Sequence, residues 1–291
     1  MNRAATQLCI EKNIRLGVVG LGYWGKIILK NLIQLGFNNI VVCEEKDVDW
    51  GDVGSRYEVV KKYKELKCDK VFVLTPATLH FDVCKYFLEQ GTDVFCEKPL
   101  DLSSEGCEEL YRIAEKNKAV LFVDWLFTFN PAVNKIKNFI NKWGKPKNVI
   151  ANRMNYGPAR DDVNARWDLA SHDVSIMCYL LDEIPQETHW LDFKRNKESV
   201  QNDSVVGVLY FKETCTQINA SWAYGIKNRL YVFEFRDGIL YWDDTTQSMM
   251  YGSEVLEVDT SSPLNVSLNT FMGSPLTQRK FTLDVTKVLE Q

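Results

Sequence analysis

The chain has 291 residues, 45% of them hydrophobic and 25% charged, with a net charge of −4. That length accommodates two domains, and that balance belongs to a soluble protein able to bury a sizeable core. It excludes a polycationic binder of nucleic acid or anionic membrane, and no apolar run approaches the roughly 20 residues of a membrane span. The opening MNRAATQLCIEKN lacks the apolar core of a signal peptide. Eight cysteines are scattered without a C-x-x-C pair, and the three histidines lie far apart. No metal site is therefore expected, and free core cysteines suit a reducing, cytoplasmic setting.

The elements alternate in type over the first ~120 residues. IRLGVVG (14–20) reads as a strand, YWGKIILKNLIQLG (23–36) as a helix closed by Gly36, and NIVVCE (39–44) as a second strand. KVFVLTP (70–76), DVFCEKP (93–99) and AVLFVDW (119–125) continue the strands, with helices over TLHFDVCKYFLEQG and SSEGCEELYRIAEKN between them. Short, nearly all-apolar strands separated by helices predict an α/β, Rossmann-type, doubly wound parallel sheet. After about residue 124 come the helix NPAVNKIKNFINKWG, a helical stretch over 163–182, and strand-like runs VVGVLYF, TQINASWAY, RLYVFEF and ILYWDD. RLYVFEF-RDG-ILYWDD reads as a hairpin. The expected organisation is a dinucleotide-binding domain over 1–123 and an α+β domain over 124–291 with an open, largely antiparallel sheet.

GLGYWG (20–25) is a G-x-G-x-x-G placed after a strand and at the start of a helix, the context a pyrophosphate site requires. Gly20 permits the tight turn, Gly22 lets the backbone approach the phosphates, and Gly25 lets the helix pack close to the strand. The helix N-terminus adds free N–H groups and the positive end of its dipole. Glu44, at the end of the second strand, stands where a carboxylate binds the ribose 2′-hydroxyl, with Glu45 as its rival. A negative charge there repels a 2′-phosphate, so NAD(H) is expected before NADP(H).

FCEKPL (95–100) ends an apolar strand on Glu97, Lys98 and Pro99. A lysine there is either a surface residue at a strand end or a functional amine, since lysine is seldom fully buried. In VNARWDLASHDVSIMCYLLD (163–182), α-helical spacing puts Asn164, Asp168 and His172 on one face, with Ser175 and Tyr179 continuing the stripe. Ala170, Val174, Met177 and Leu181 form an apolar stripe of their own. A polar stripe of this kind lines a substrate cleft or faces solvent.

Together, VVGLGYWG, TPATLHFDV (75–83), CEKPL (96–100), FTFNP (127–131) and WDLASHDVS (167–175) resemble the Gfo/Idh/MocA family of nicotinamide-dependent sugar dehydrogenases. The resemblance implies that Gly20, Gly22, Tyr23, Trp24, Gly25, Glu44, Thr75, Pro76, His80, Glu97 and Lys98 line the cofactor. It implies Lys98, Asp168 and His172 as catalytic groups, converging on one carbon beside the nicotinamide. Arg160 and Asn164 are candidate substrate contacts, alongside Lys98 and His172. The implied reaction is hydride transfer to or from a secondary alcohol or ketone carbon of a sugar. NYGPARDDVNARWDLASHD is most similar to members acting on nucleotide sugars. Homodimers or homotetramers are the implied assembly. Three features depart from the family: the connection 45–69 is short, Thr128 stands where an arginine is frequent, and NARW (164–167) replaces a glycine pair. A non-catalytic sensor of NAD or a sugar, and a reductase of a non-sugar carbonyl, are the alternative readings. His80 is a cofactor-edge residue or a structural one, and Trp222 and Trp242 read as packing residues.

Overall fold

A computed structural model of the chain describes residues 14–46, 57–273 and 277–291. Cys9, the opening segment and residues 47–56 of the short 45–69 connection lie outside these residues. The described chain divides into two compact units. The first runs to Leu100 and takes in Gly106–Asp124 and Asn265–Arg279; the second holds Asp101–Glu105, Trp125–Leu264 and Lys280–Gln291.

In the first unit, β1 (Leu16–Val19), β2 (Ile40–Cys43), β3 (Glu58–Val60), β4 (Lys70–Val73), β5 (Asp93–Glu97) and β6 (Leu121–Asp124) form one parallel sheet. Its order is β3-β2-β1-β4-β5-β6, the arrangement of dinucleotide-binding α/β sheets, with the switch point between β1 and β4. Every residue of β1, β2 and β6 is buried, which is why these strands read as unbroken apolar runs. Helices α1 (Tyr23–Gln34), α2 (His80–Glu89) and α3 (Ser104–Asn117) fall where the apolar spacing places them.

The expected single boundary near residue 124 does not describe the division, because Asn265–Arg279 returns to the first unit. This segment contains most of α6 (Pro263–Met272). Phe271 packs against Phe72, Phe95 and Phe122 at ring-centroid distances of 5.4, 5.6 and 5.8 Å. Ser267 donates to Asp124 at 2.6 Å, and Arg279 is paired with Glu108 and Glu115. Burying one phenylalanine stabilises by about 1.5–3 kcal/mol, enough to decide which core a short helix joins.

The second unit holds one mixed sheet of nine strands. These are β7 (Asn148–Tyr156), β8 (Glu187–Phe193), β9 (Ser204–Tyr210), β10 (Cys215–Ser221), β11 (Ala223–Asn228), β12 (Leu230–Phe235), β13 (Gly238–Asp243), β14 (Ser248–Tyr251) and β15 (Glu254–Leu256). The order is β15-β14-β13-β12-β7-β10-β9-β8, with β11 paired to β7. The pair β10–β7 is parallel and the others are antiparallel. The expected hairpin is β12–β13, with Phe233 opposite Leu240. Its helices include α4 (Pro131–Trp143), which starts on the Asn130 cap with proline at the first helical position. Helices α5 (Ser171–Leu181) and α7 (Arg279–Glu290) follow.

Candidate active-site residues

The glycine loop has the form its spacing predicts. Gly20 takes φ +93°, and a Cβ there would meet the Leu74 carbonyl at 2.7 Å. A Cβ on Gly25 would lie 2.1 Å from the Gly20 carbonyl oxygen, so α1 sits against the loop too closely for any side chain. Gly22, by contrast, faces open space and heads α1 with no side-chain cap. The first-turn N–H groups are thus left for an anion. Glu44 reaches this loop from the end of β2, accepting from the Leu21 N–H at 2.8 Å and the Lys46 N–H at 3.1 Å. Glu45, its rival, is exposed. Tyr23 is exposed, while Trp24 is half-buried. Gly25→Ala is expected to lower stability by about 1–3 kcal/mol, because the loop must move to admit the methyl. Urea unfolding reads the loss, and the NADH fluorescence enhancement should weaken with it.

At the carboxyl ends of β4 and β5 two turns are tied together. His80 is buried, with Nδ1 at 2.7 Å from the Pro99 carbonyl and Nε2 at 2.9 Å from the Thr75 carbonyl. Of its two sequence readings, the structure gives the ring a bridging position between the Thr75-Pro76 turn and the Lys98-Pro99 turn. Pro76 is exposed and precedes a short 3₁₀ turn. The Thr75 hydroxyl is buried and makes no hydrogen bond, leaving a donor available to a ligand at this edge. Glycine loop, edge carboxylate and orphaned hydroxyl all belong to the first unit and fit a dinucleotide.

Lys98 is buried, not a surface residue at a strand end. Glu97 accepts from the Lys98 N–H at 2.9 Å and lies opposite Asp124 in the β5–β6 register. Burial, and then the charge of Asp124, push the Glu97 carboxyl up to about 8, against the opposing pull of Lys98, its backbone N–H and the Trp24 indole. Burial likewise raises Asp124 to about 6, opposed by the Ser267 hydroxyl and Lys98. Because the folded Glu97 carboxyl holds its proton where an unfolded one has lost it, stability falls as pH rises from about 4.5 to about 8. Glu97→Gln removes that contribution. Its midpoint in urea is expected to fall less than the wild type's between pH 5 and 8.

In the second unit, the helix expected over 163–182 begins later and is not uniform. Arg166–Ala170 form a π-helical turn and α5 starts at Ser171. The widened turn breaks the even i, i+4, i+8 stagger expected of Asn164, Asp168 and His172; such turns occur frequently at functional sites. Asn164 caps this segment, accepting from the Trp167 N–H at 3.1 Å. Asp168 accepts from Arg160 Nη1 at 3.0 Å on one oxygen and from Trp222 Nε1 at 3.0 Å on the other. Arg160 also grips Asp162 with two donors, at 2.9 and 2.6 Å. Its guanidinium thus orders two carboxylates of its own unit. His172 is half-buried, its ring edge-on to Phe127 at 5.1 Å. The apolar stripe Ala170, Val174, Met177 and Leu181 is buried as expected.

Two contributors escaped the sequence reading. Asp124 sits in an apolar strand and gave no signal beyond its charge there. Trp222 is buried as a packing residue should be, yet its N–H is spent on Asp168. Trp125 is buried and donates to Thr282 at 3.0 Å.

Residues 14–125 match the model of the Gfo/Idh/MocA oxidoreductase family, described as an NAD-binding Rossmann fold. The inositol 2-dehydrogenase of Rhizobium meliloti is 25% identical over 185 residues, 59% of this chain and 56% of that protein. The chain thus spans about half the length of the curated relatives it matches. Among solved structures, the UDP-N-acetylglucosamine 3-dehydrogenase of Acidithiobacillus ferrooxidans aligns with a TM-score of 0.83 at 18% identity, covering 95% of each chain. GenD2 from gentamicin A biosynthesis, solved in complex with NAD, aligns with a TM-score of 0.80 at 18% identity, covering 95% of this chain and 92% of that one. At these identities the structural likeness establishes the shared fold.

Proposed function

Because residues 14–125 match the model of the Gfo/Idh/MocA oxidoreductase family, we propose that the chain is an NAD(H)-dependent dehydrogenase or reductase of a sugar, with nucleotide sugars as the preferred class. When bound, the dinucleotide supplies the hydride acceptor or donor at its nicotinamide ring. The observation that carries the reading is Lys98, a buried amine at the end of β5 and on the same sheet edge as the glycine loop. Gly20, Gly22 and Gly25 would cradle the pyrophosphate, and Glu44 would hold the ribose and disfavour a 2′-phosphate.

Lys98 would donate a hydrogen bond to the substrate oxygen as it gains negative charge, a preorganised electrostatic contribution. His172 would take the hydroxyl proton in oxidation and return it in reduction, acting as general base and general acid. Asp168, fixed on both oxygens by Arg160 and Trp222, would keep a negative charge in the His172 segment. The relatives named for a UDP-sugar and for inositol support a polyol or sugar substrate.

The test is a titration of the full chain with NADH and NADPH, followed by a screen of nucleotide sugars and free sugars with NAD. Enhancement of NADH fluorescence at lower concentration than NADPH, then NAD reduction by a nucleotide sugar, supports the reading. Dinucleotide binding with no turnover on any sugar or ketosugar would instead make the chain a sensor.

A further inference from the structure

The carboxyl edge of the first unit's sheet holds more negative charge than its lysine can balance. Parallel pairing sets Glu97 beside Asp124. Asp124 is fully buried, and its Oδ1 accepts from the Ser267 hydroxyl at 2.6 Å. Its Oδ2, equally buried, accepts no hydrogen bond. The charged groups acting on Asp124 are Glu97 from β5 and Lys98 just beyond it; Ser267 from α6 and Trp24 from the head of α1, which acts on Glu97, are neutral. With both carboxylates ionised, the buried cluster carries −1. With one proton between them it is neutral, the form an interior favours.

A dinucleotide seated on the glycine loop runs along this same sheet edge. Its nicotinamide ring is cationic when oxidised and uncharged when reduced. A neighbouring cation favours the −1 cluster, whereas an uncharged ring leaves the neutral cluster preferred. We propose that the Glu97–Lys98–Asp124 cluster holds one shared proton in the free protein, releases it to solvent when oxidised cofactor binds, and retains it when reduced cofactor binds. The inference rests on the NAD(H) reading above. With the Glu97 carboxyl raised to about 8 and Asp124 to about 6, the release falls between about pH 6 and pH 8.

Calorimetric titration of the full chain with NAD and with NADH, at pH 7 in two buffers of different ionisation enthalpy, counts the protons directly. The expected result is close to one proton released with NAD and close to none with NADH. NAD affinity should rise by up to about tenfold per pH unit across the window, the limit for one linked proton, while NADH affinity stays level. Asp124→Asn leaves Glu97 alone with its cation and is expected to cut the release by more than half. Ser267→Ala removes only the hydrogen bond that favours ionised Asp124, so it should shift the window to higher pH. It also decides the matter if Asp124→Asn fails to fold. Equal proton counts for the two redox states, or a window unmoved in Ser267→Ala, overturn the proposal while leaving the dinucleotide reading intact. Failure of both NAD and NADH to bind overturns the two together.

Discussion

Lys98→Met is expected to lower turnover about 10²–10³-fold, the usual cost of deleting one preorganised donor, while NADH still binds. Methionine matches the length of the lysine stem, so the buried path beyond β5 stays filled. What disappears is the ammonium, and with it the cation that opposes the upward shift of Glu97 and Asp124. Those carboxyls answer by keeping protons to higher pH, so little stability should be lost below pH 7. The deficit should therefore fall on kcat more than on KM, with a larger isotope effect from deuterated substrate as the hydride step becomes limiting. Turnover within a few-fold of wild type would remove Lys98 from the chemistry. Loss of NADH binding along with turnover would make it a cofactor anchor.

What was legible in the sequence was what is local. The glycine loop, the Glu-Lys-Pro turn and the buried strands of the first sheet are written in consecutive residues, and each takes its expected form. The three-residue β3 was not foreseen, because Glu58–Val60 is exposed to half-buried and becomes a strand only by pairing with β2. The π-helical turn at Arg166–Ala170 left no trace in a 3.6-residue pattern that fits an α-helix equally well. Asp124 acquires its neighbour through the register of β5 on β6, and Trp222 meets Asp168 across 54 positions of chain. Neither pairing can be read without the sheet that makes it. The return of Phe271 to the first core has the same origin: an apolar helix face does not say which of two cores it will enter.

Asp173→Ala is expected to cost about 3–5 kcal/mol, since it strands a buried guanidinium. Arg153 and Asp173 are buried and joined at 2.9 Å, and the Tyr231 hydroxyl donates to the same Asp173 oxygen. Burial works against the Arg153 charge, but Asp173, Tyr231 and Asp244 outweigh it and hold the guanidinium firmly protonated. Without Asp173 it has neither water nor its carboxylate. The consequence reaches a catalytic candidate, because the guanidinium lies 4.4 Å from the centre of the Phe127 ring, whose neighbour is His172. Replacing both partners, as Arg153→Met with Asp173→Leu, removes the two charges together and should restore most of the lost stability. Urea unfolding of the single and double variants distinguishes the cases, with the single variant markedly less stable than the double. A double variant no better than the single would mean that the pair is held for its shape and hydrogen bonds, and that desolvation of the stranded charge is not what the single substitution exposes.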